Sequence, residues 1–266
     1  MNGKFLLLAL CLWVVPVRAA DDATNPDTEI WRKVRADLFD NRVIEDDGAA
    51  RYIHMQIPAR AADAAVVPLA IRASGLPGEP TTKKLYVIID RNPSPIAAIF
   101  EFGEGSGGAY VETRVRIEEY TWIRIIAERA DGGLIGTQRF VKAAGGCSAP
   151  AGKTLAERLA GMGQTRWRID PAAEAWPATV QLMIRHPNNS GLAMDQLTRL
   201  YDPPHYVRSV RVTRQEALVF SADVDFSISE NPSFRFSVKP GFDNDLRVVV
   251  TDSNDQTFES RSSVSR

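Results

Sequence analysis

The chain has 266 residues, in which 32 Lys and Arg are balanced by 33 Asp and Glu, and its sequence pI is about 6.3. This balance gives no electrostatic reason to expect nucleic acid or a membrane surface as a partner. The hydrophobic content of 44% is typical of packed globular proteins, and the length is enough for two domains of ordinary size.

Residues 1–19 have the pattern of a secretory signal peptide. A charged start precedes an apolar run at 5–15 that is too short to span a bilayer, and Val17 and Ala19 fit the small-residue rule for cleavage. No later segment is apolar enough to cross a membrane. We therefore expect an exported protein that keeps one of its two cysteines, Cys147, so that no intramolecular disulfide can form.

One amphipathic helix is predicted near the start of the mature chain, with Asn25 as its cap and Pro26 at its first position. Ile30, Val34 and Leu38 then recur on one helix face. Further along, the hydrophobic period changes to that of strands, most clearly where apolar and polar side chains alternate before Thr121. Six strands are predicted in this half: 66–71, 84–90, 96–102, 110–118, 121–128 and 134–142.

The segment 148–165 contains Pro150 and several small residues, so we interpret it as a linker. Thr154 and Glu157 form a capping-box pattern that predicts a short helix within it. Five more strands are predicted beyond the linker: 178–185, 207–214, 216–228, 233–239 and 245–251. Many short strands with turn signals between them predict antiparallel sandwiches, and the lack of helix-length periodic segments argues against a parallel α/β sheet.

The glycine-rich run at 103–108 matches the spacing of a dinucleotide-binding motif, but a strand rather than a helix follows it. We interpret the run as a flexible loop between strands. His54, His186 and His205 have no partner at metal-ligand spacing, and we interpret them as core or surface residues. Because no catalytic constellation is visible, the sequence predicts no metal, no cofactor and no enzyme activity of its own.

Cys147 follows Gly145 and Gly146 at the junction of the two β-rich halves. Glycine rotates freely and has no side chain to crowd a neighbour, so the pair could carry the thiol away from the protein surface. A free cysteine is more commonly a small buried apolar residue. The run 145–152 cannot hold a regular element or supply a core, and on that ground we expect Cys147 to be exposed.

Short motifs follow one another in a fixed order along both halves. The first half contains Asn92-Pro93-Ser94-Pro95, Thr113-Arg114-Val115-Arg116, Asp131-Gly132 and Val141-Lys142-Ala143-Ala144-Gly145-Gly146-Cys147. The second half contains His186-Pro187 with Gly191, Phe220-x-Ala222-Asp223, Ser229-Glu230-Asn231-Pro232 and Phe234-Arg235-Phe236. Together the halves resemble the SoxY and SoxZ proteins of periplasmic sulfur oxidation, joined in the order Y then Z. The fused form is similar to SoxYZ-like carriers associated with quinoprotein dehydrogenases.

The resemblance implies an all-β fold of two immunoglobulin-like antiparallel β-sandwich domains, to which the sequence adds a short N-terminal helix. The first sandwich would span 20–147 and end in the Gly-Gly-Cys arm. The linker would span 148–165, and the second sandwich 166–266. Both sandwiches would pack against each other as a SoxY–SoxZ pair does.

The resemblance also implies a non-enzymatic periplasmic carrier without a cofactor. Cys147 would be the attachment site for sulfur intermediates, and Gly145 and Gly146 would form the carrier arm. The expected partners are sulfur-oxidation enzymes or cytochromes and a quinoprotein dehydrogenase system, and the lone thiol also allows a Cys147-linked dimer. In SoxY proteins the cysteine motif ends the chain, whereas here Ser148 follows and the chain continues, so the arm is a tethered loop.

Two other classes stay open on the sequence alone. The chain could be a non-covalent binding or adhesion sandwich in which Cys147 is incidental, or an assembly factor for a neighbouring dehydrogenase. A free cysteine with a pKa of about 8.5 is only a few per cent ionised at neutral pH. Since only Lys142 is a nearby cation in sequence, we expect the partner enzyme to activate the thiol.

Overall fold

The computed structural model describes residues 23–47, 51–74, 81–150, 154–171, 177–195, 199–242 and 245–262, and these residues form mainly β-sheet. The predicted signal peptide lies outside the described residues. No helix in the described part is long and apolar enough to cross a membrane.

Before Cys147 the described residues form one helix and eight strands: α1 (Glu29–Phe39), β1 (Ile44–Asp46), β2 (Ile53–Gln56), β3 (Val67–Ala73), β4 (Thr82–Ile89), β5 (Ile96–Phe102), β6 (Ser106–Val115), β7 (Thr121–Arg129) and β8 (Leu134–Val141). After Cys147 the part of the chain that the structure describes forms one short helix and seven strands: α2 (Leu155–Leu159), β9 (Thr165–Asp170), β10 (Ala178–Ile184), β11 (Val207–Arg214), β12 (Ala217–Val224), β13 (Ser233–Val238), β14 (Arg247–Asp252) and β15 (Thr257–Arg261). The all-β prediction is confirmed, as are the eleven predicted strands to within a few residues at most ends.

The strands form two stacked sheets. The larger has the order β1-β8-β7-β4-β5-β12-β11-β14-β15, and the smaller has the order β2-β3-β6-β13-β10-β9. All pairs are antiparallel except β1 with β8. The four strands that the sequence did not predict, β1, β2, β9 and β15, lie at the four sheet edges. Edge strands are short and carry polar residues, so their hydrophobic alternation is weak.

Both sheets run through both halves of the chain. β5 pairs with β12 in the larger sheet, and β6 pairs with β13 in the smaller one. We call these two pairings the seam. One cluster of buried hydrophobic side chains continues across it. Phe100 lies 5.7 Å from Phe220 between ring centroids, and Phe220 stacks on Phe236 at 4.5 Å, so side chains of both halves share one core at the seam.

The glycine run at 103–108 lies at the seam; residues 103–105 form the predicted loop between two strands, but residues 106–108 belong to β6. β6 already begins at Ser106. A Cβ on Gly103 would lie 2.2 Å from the Leu218 carbonyl oxygen, and a Cβ on Gly107 would lie 2.7 Å from Pro177 Cβ. These glycines therefore serve the close approach of the two halves rather than motion.

The helix α1 begins three residues later than predicted. Thr28 is its cap, because the Thr28 side chain accepts a hydrogen bond from the Trp31 amide at 3.0 Å. Asn25 instead accepts from the Asp27 amide at 2.9 Å, in a turn before the helix. The Thr28 hydroxyl also donates to Asp90 at 2.8 Å, which ties the helix start to the larger sheet.

In the linker the predicted capping box is confirmed. Thr154 accepts a hydrogen bond from the Glu157 amide, and the Glu157 carboxylate accepts one from the Thr154 amide at 2.9 Å. The helix that follows, α2, has five residues. β9 begins at Thr165, so residues 148–150 and 154–164 of the linker lie outside the two sheets.

Candidate functional site

Cys147 lies in a turn after β8 and is only 2% exposed, so the prediction of an exposed thiol is wrong for this conformation. Gly145 and Gly146 are not free either. The Gly145 amide donates to the Glu118 carbonyl at 2.8 Å, and the Gly146 amide donates to the Ile117 carbonyl at 2.9 Å. The predicted carrier arm is therefore docked on the end of the segment that follows β6.

The two glycines make this docking sterically feasible. A Cβ on Gly146 would lie 2.1 Å from the Ala64 carbonyl oxygen and 2.7 Å from the Ile117 carbonyl oxygen. Gly145 has φ +80°, a conformation that other residues adopt only with strain. The sequence signal was correct in marking a special backbone, but glycine serves close approach as well as freedom, and here close approach applies.

The Glu118 carboxylate holds the arm at three points. Glu118 Oε2 accepts hydrogen bonds from the Cys147 amide at 2.8 Å and the Ser148 amide at 3.1 Å. Glu118 Oε1 accepts one from the Ser148 hydroxyl at 2.7 Å. We call this set of three bonds the Glu118 clasp. Sequence reasoning missed it, because Glu118 and Cys147 are 29 residues apart and no local motif connects them.

Residues of the second half of the chain also surround Cys147. We call the set of groups around Cys147, which are the Glu118 clasp, Arg116 and the segment 186–190, the dock. The Ser190 hydroxyl donates to the Cys147 carbonyl. Arg116 donates through Nη1 to the carbonyls of Asn188 at 2.6 Å, Phe226 at 2.8 Å and Ile228 at 2.9 Å. The segment 186–190 that supplies Ser190 and Asn188 is buried throughout. Cys147 is thus enclosed by residues of both halves.

The dock keeps the thiol protonated. The pKa of Cys147 is raised to about 12, first by burial and then by the negative charge of Glu118 and, less strongly, of Asp225. Arg116 acts in the opposite direction, but burial lowers the pKa of the Arg116 guanidinium itself. Since the thiolate is the nucleophile, Cys147 is unreactive in this conformation.

Asp225 is a buried carboxylate whose negative charge also acts on Cys147. Burial raises its pKa to about 6, although the Ser227 amide donates to Asp225 Oδ1 at 2.7 Å. Asp225 Oδ2 is buried without a hydrogen-bond partner among the described residues. The carboxylate is therefore incompletely compensated at neutral pH.

Two of the three histidines meet in the fold, although neither has a partner at metal-ligand spacing in the sequence. His205 Nε2 lies 2.8 Å from Asp252 Oδ2, and His186 Nε2 lies 3.6 Å from the same oxygen. Their ligand atoms all lie within 4.8 Å of one another. The sequence could not indicate this group, because its members come from three segments at 186, 205 and 252 that meet only in the fold.

The tautomer of His186 argues against a metal at this group. The Asn188 amide donates to His186 Nδ1 at 3.0 Å, so Nδ1 carries no proton. The proton of the neutral ring is then on Nε2, which leaves no lone pair directed at a metal ion beside Asp252. Burial and the neighbouring His205 lower the pKa of His186 to about 4, so the ring is neutral at physiological pH. We interpret the group as a structural support for the segment that carries Asn188.

Comparison with known families places this geometry in context. Residues 35–147 match the family model of the sulfur oxidation protein SoxY, and residues 168–263 match that of the sulphur oxidation protein SoxZ. The chain is a fused SoxY–SoxZ protein. The SoxY match ends at Cys147 itself, and the two matched regions lie on opposite sides of the seam. No curated protein sequence matches the chain significantly. The SoxY and SoxZ families indicate a carrier protein of sulfur oxidation.

Proposed function

We propose that this fused SoxY–SoxZ protein is a periplasmic carrier that holds sulfur intermediates, derived from thiosulfate or a related compound, covalently on Cys147. Separate redox enzymes would load and process the held sulfur. The observation that carries the proposal is that the SoxY-family region ends at the one cysteine in the described part of the chain, inside a dock built by both halves. The protein itself would not be an enzyme.

The proposed cycle has a docked and an undocked state of the arm. In the docked state the thiol is buried and protonated, which protects it from indiscriminate reaction. Undocking would return the pKa of Cys147 toward about 8.5, its value in a free cysteine, so that a few per cent is thiolate at neutral pH. Joining the thiol to thiosulfate as a disulfide-type S–S bond releases one proton and two electrons. A partner redox enzyme or cytochrome must accept those electrons.

Attachment is tested by intact mass before and after reductant. Protein isolated from the periplasm of cells that oxidise sulfur compounds should lose an adduct from the peptide that contains Cys147, and Cys147→Ser should carry none. N-terminal sequencing of the same sample should start at or near residue 20. A sample that never carries a reducible adduct under loading conditions would contradict the attachment role.

A second candidate function is a non-covalent binding or assembly module for a neighbouring quinoprotein dehydrogenase. It is favoured by the burial of Cys147 and by a cavity of about 790 Å³ that spans the seam on the smaller sheet. Arg114, Arg139 and Arg235 line this cavity. If Cys147→Ser leaves sulfur-dependent growth intact while substitution of these arginines abolishes it, this second function is the correct one.

A further inference from the structure

We propose that Glu118 is the gate of the carrier arm, by which we mean that its carboxylate controls whether the arm is docked. While Glu118 holds the arm, the thiol of Cys147 stays buried and unreactive. When that hold is lost, the arm undocks and Cys147 can react. The inference rests on the proposed carrier function and identifies how the same site is regulated. Its basis is the Glu118 clasp together with the electrostatic effect of the same carboxylate on the thiol.

Glu118 holds the arm more strongly than the other groups that contact it. The arm has three neutral contacts, from Gly145 and Gly146 to backbone carbonyls and from Ser190 to the Cys147 carbonyl. The clasp adds three hydrogen bonds to an ionised acceptor, and bonds of this kind are roughly twice as strong as neutral ones. Glu118 is therefore the strongest single attachment of the arm.

Glu118 controls both the exposure and the activation of the Cys147 thiol. The negative charge of Glu118 raises the pKa of Cys147, second only to burial. An arm that leaves Glu118 thus gains solvent and also loses the charge that opposed its thiolate. Exposure and activation of the thiol change in the same direction when the clasp opens.

The backbone of Glu118 is fixed by hydrogen bonds, while its side chain remains partly accessible. The Glu118 amide donates to Asn92 Oδ1 at 2.9 Å, and Asn92 Nδ2 donates to the Arg116 carbonyl at 2.8 Å. This places the Glu118 backbone firmly beside the dock. Glu118 itself is only partly buried, so a group on a partner protein could reach it.

Ser148, the residue after the cysteine, also takes part in the clasp. The Ser148 hydroxyl uses Glu118 Oε1 while the two amides share Oε2, so both carboxylate oxygens are occupied by the arm. The arm of this chain is a loop that continues beyond Cys147, and Ser148 belongs to that continuation. The clasp therefore includes a bond that depends on the chain going on past the cysteine.

The gate is tested by the rate at which iodoacetamide alkylates Cys147 in the full chain, read from the Cys147 peptide by mass spectrometry. When closing is faster than labelling, this rate is proportional to the open fraction of the arm. Glu118→Ala removes all three clasp bonds and should label more than a hundredfold faster than the unmodified chain, whereas Ser148→Ala removes one and should label about tenfold to a hundredfold faster. Glu119→Gln is the matched control, because Glu119 is the neighbouring carboxylate and pairs with Arg91 instead.

Controls separate the gate from a general loss of structure. Under denaturing conditions all variants should label at one rate, and each should still unfold in a single transition. Ser148→Ala keeps the charge of Glu118 and tests the clasp even if Glu118→Ala folds poorly. Labelling of Glu118→Ala and Ser148→Ala at the unmodified rate, or equal acceleration by Glu119→Gln, would overturn the gate.

The outcome is distinguishable from that of the carrier proposal. Sulfur loading is measured separately, as the reducible mass on the Cys147 peptide. A variant that labels fast but never takes up sulfur supports the gate and contradicts the carrier. A variant that labels at the unmodified rate and still takes up sulfur contradicts the gate and supports the carrier.

Discussion

Gly146→Ala should undock the carrier arm. The added Cβ would lie 2.1 Å from the Ala64 carbonyl oxygen, whereas real Cβ contacts essentially never fall below 3.0 Å, so the arm must move by about 1 Å. The carbonyl oxygens of Ala64 and Ile117 obstruct the added Cβ, and because both belong to the backbone they cannot rotate away. A shift of this size breaks the 2.9 Å hydrogen bond from the Gly146 amide to Ile117 and disturbs the Glu118 clasp beyond it.

The expected magnitude follows from the bonds at risk. One neutral hydrogen bond contributes about 1 kcal/mol, and each bond to a charged acceptor about 1.5–3 kcal/mol. Losing the neutral bond and a single clasp bond therefore costs the docked state about 2.5–4 kcal/mol. Because each 1.4 kcal/mol is a tenfold change, iodoacetamide should label Cys147 roughly a hundredfold faster or more.

The matched control for this prediction is Gly132→Ala. Gly132 has a positive φ of +85°, which Gly146 lacks, and no atom lies within 4 Å of its added Cβ. This change should cost only backbone strain, about 1–3 kcal/mol, and leave the labelling rate of Cys147 unchanged. If Gly146→Ala keeps both the slow labelling and the melting temperature of the unmodified chain, the tight docking described here is incorrect.

Three other predictions concern buried charges. Asp225→Asn should raise the free energy of unfolding by about 1–3 kcal/mol at pH 8, because the folded-state pKa of about 6 means that ionisation of Asp225 opposes folding at that pH. Denaturant titration should show that this gain vanishes below about pH 4, where the carboxyl is protonated in both the folded and the unfolded state. The lowered pKa of His186, about 4 against 6.5, means that the folded state resists protonation, so the contribution of His186 to the free energy of unfolding should fall by about 3 kcal/mol from pH 6.5 to pH 4, opposite in sign to that of Asp225. His186→Gln should flatten this slope, while His54→Gln at an exposed position should not. Asp90→Asn should lower the free energy of unfolding by about 3–5 kcal/mol, measured by thermal unfolding, because it removes the carboxylate that lies 2.7 Å from the guanidinium of Arg124, which is 2% exposed. The double variant Asp90→Asn with Arg124→Met should recover part of this loss.

Most of the fold could be predicted because its interior strands alternate. β5 and β11 have the predicted bounds, and β6 buries every second residue along most of its length. The edge strands could not be predicted in the same way. β15 has no fully buried residue, so it carries no hydrophobic period from which a strand could be inferred.

The buried conformation of the candidate site could not be predicted from the sequence. The sequence marks Cys147 by its two glycines, yet the backbone atoms of Ala64 and Ile117 that make Gly146 necessary lie far away in sequence. The carboxylate at 118 likewise has no local relation to the arm. A tertiary contact decides between a flexible and a tightly packed glycine, and such a contact leaves no signature in a single sequence.

The seam has a consequence for how the carrier would respond to dilution. Two separate subunits that met along such strand pairs would follow mass action, and dissociation would leave both with unpaired strand edges that favour aggregation. In one chain, a linker at 148–165 keeps the halves at an effective concentration of the order of millimolar, whatever the amount of protein present. Fusion therefore fixes the stoichiometry at one thiol-bearing half to one partner half and makes the melting temperature independent of protein concentration.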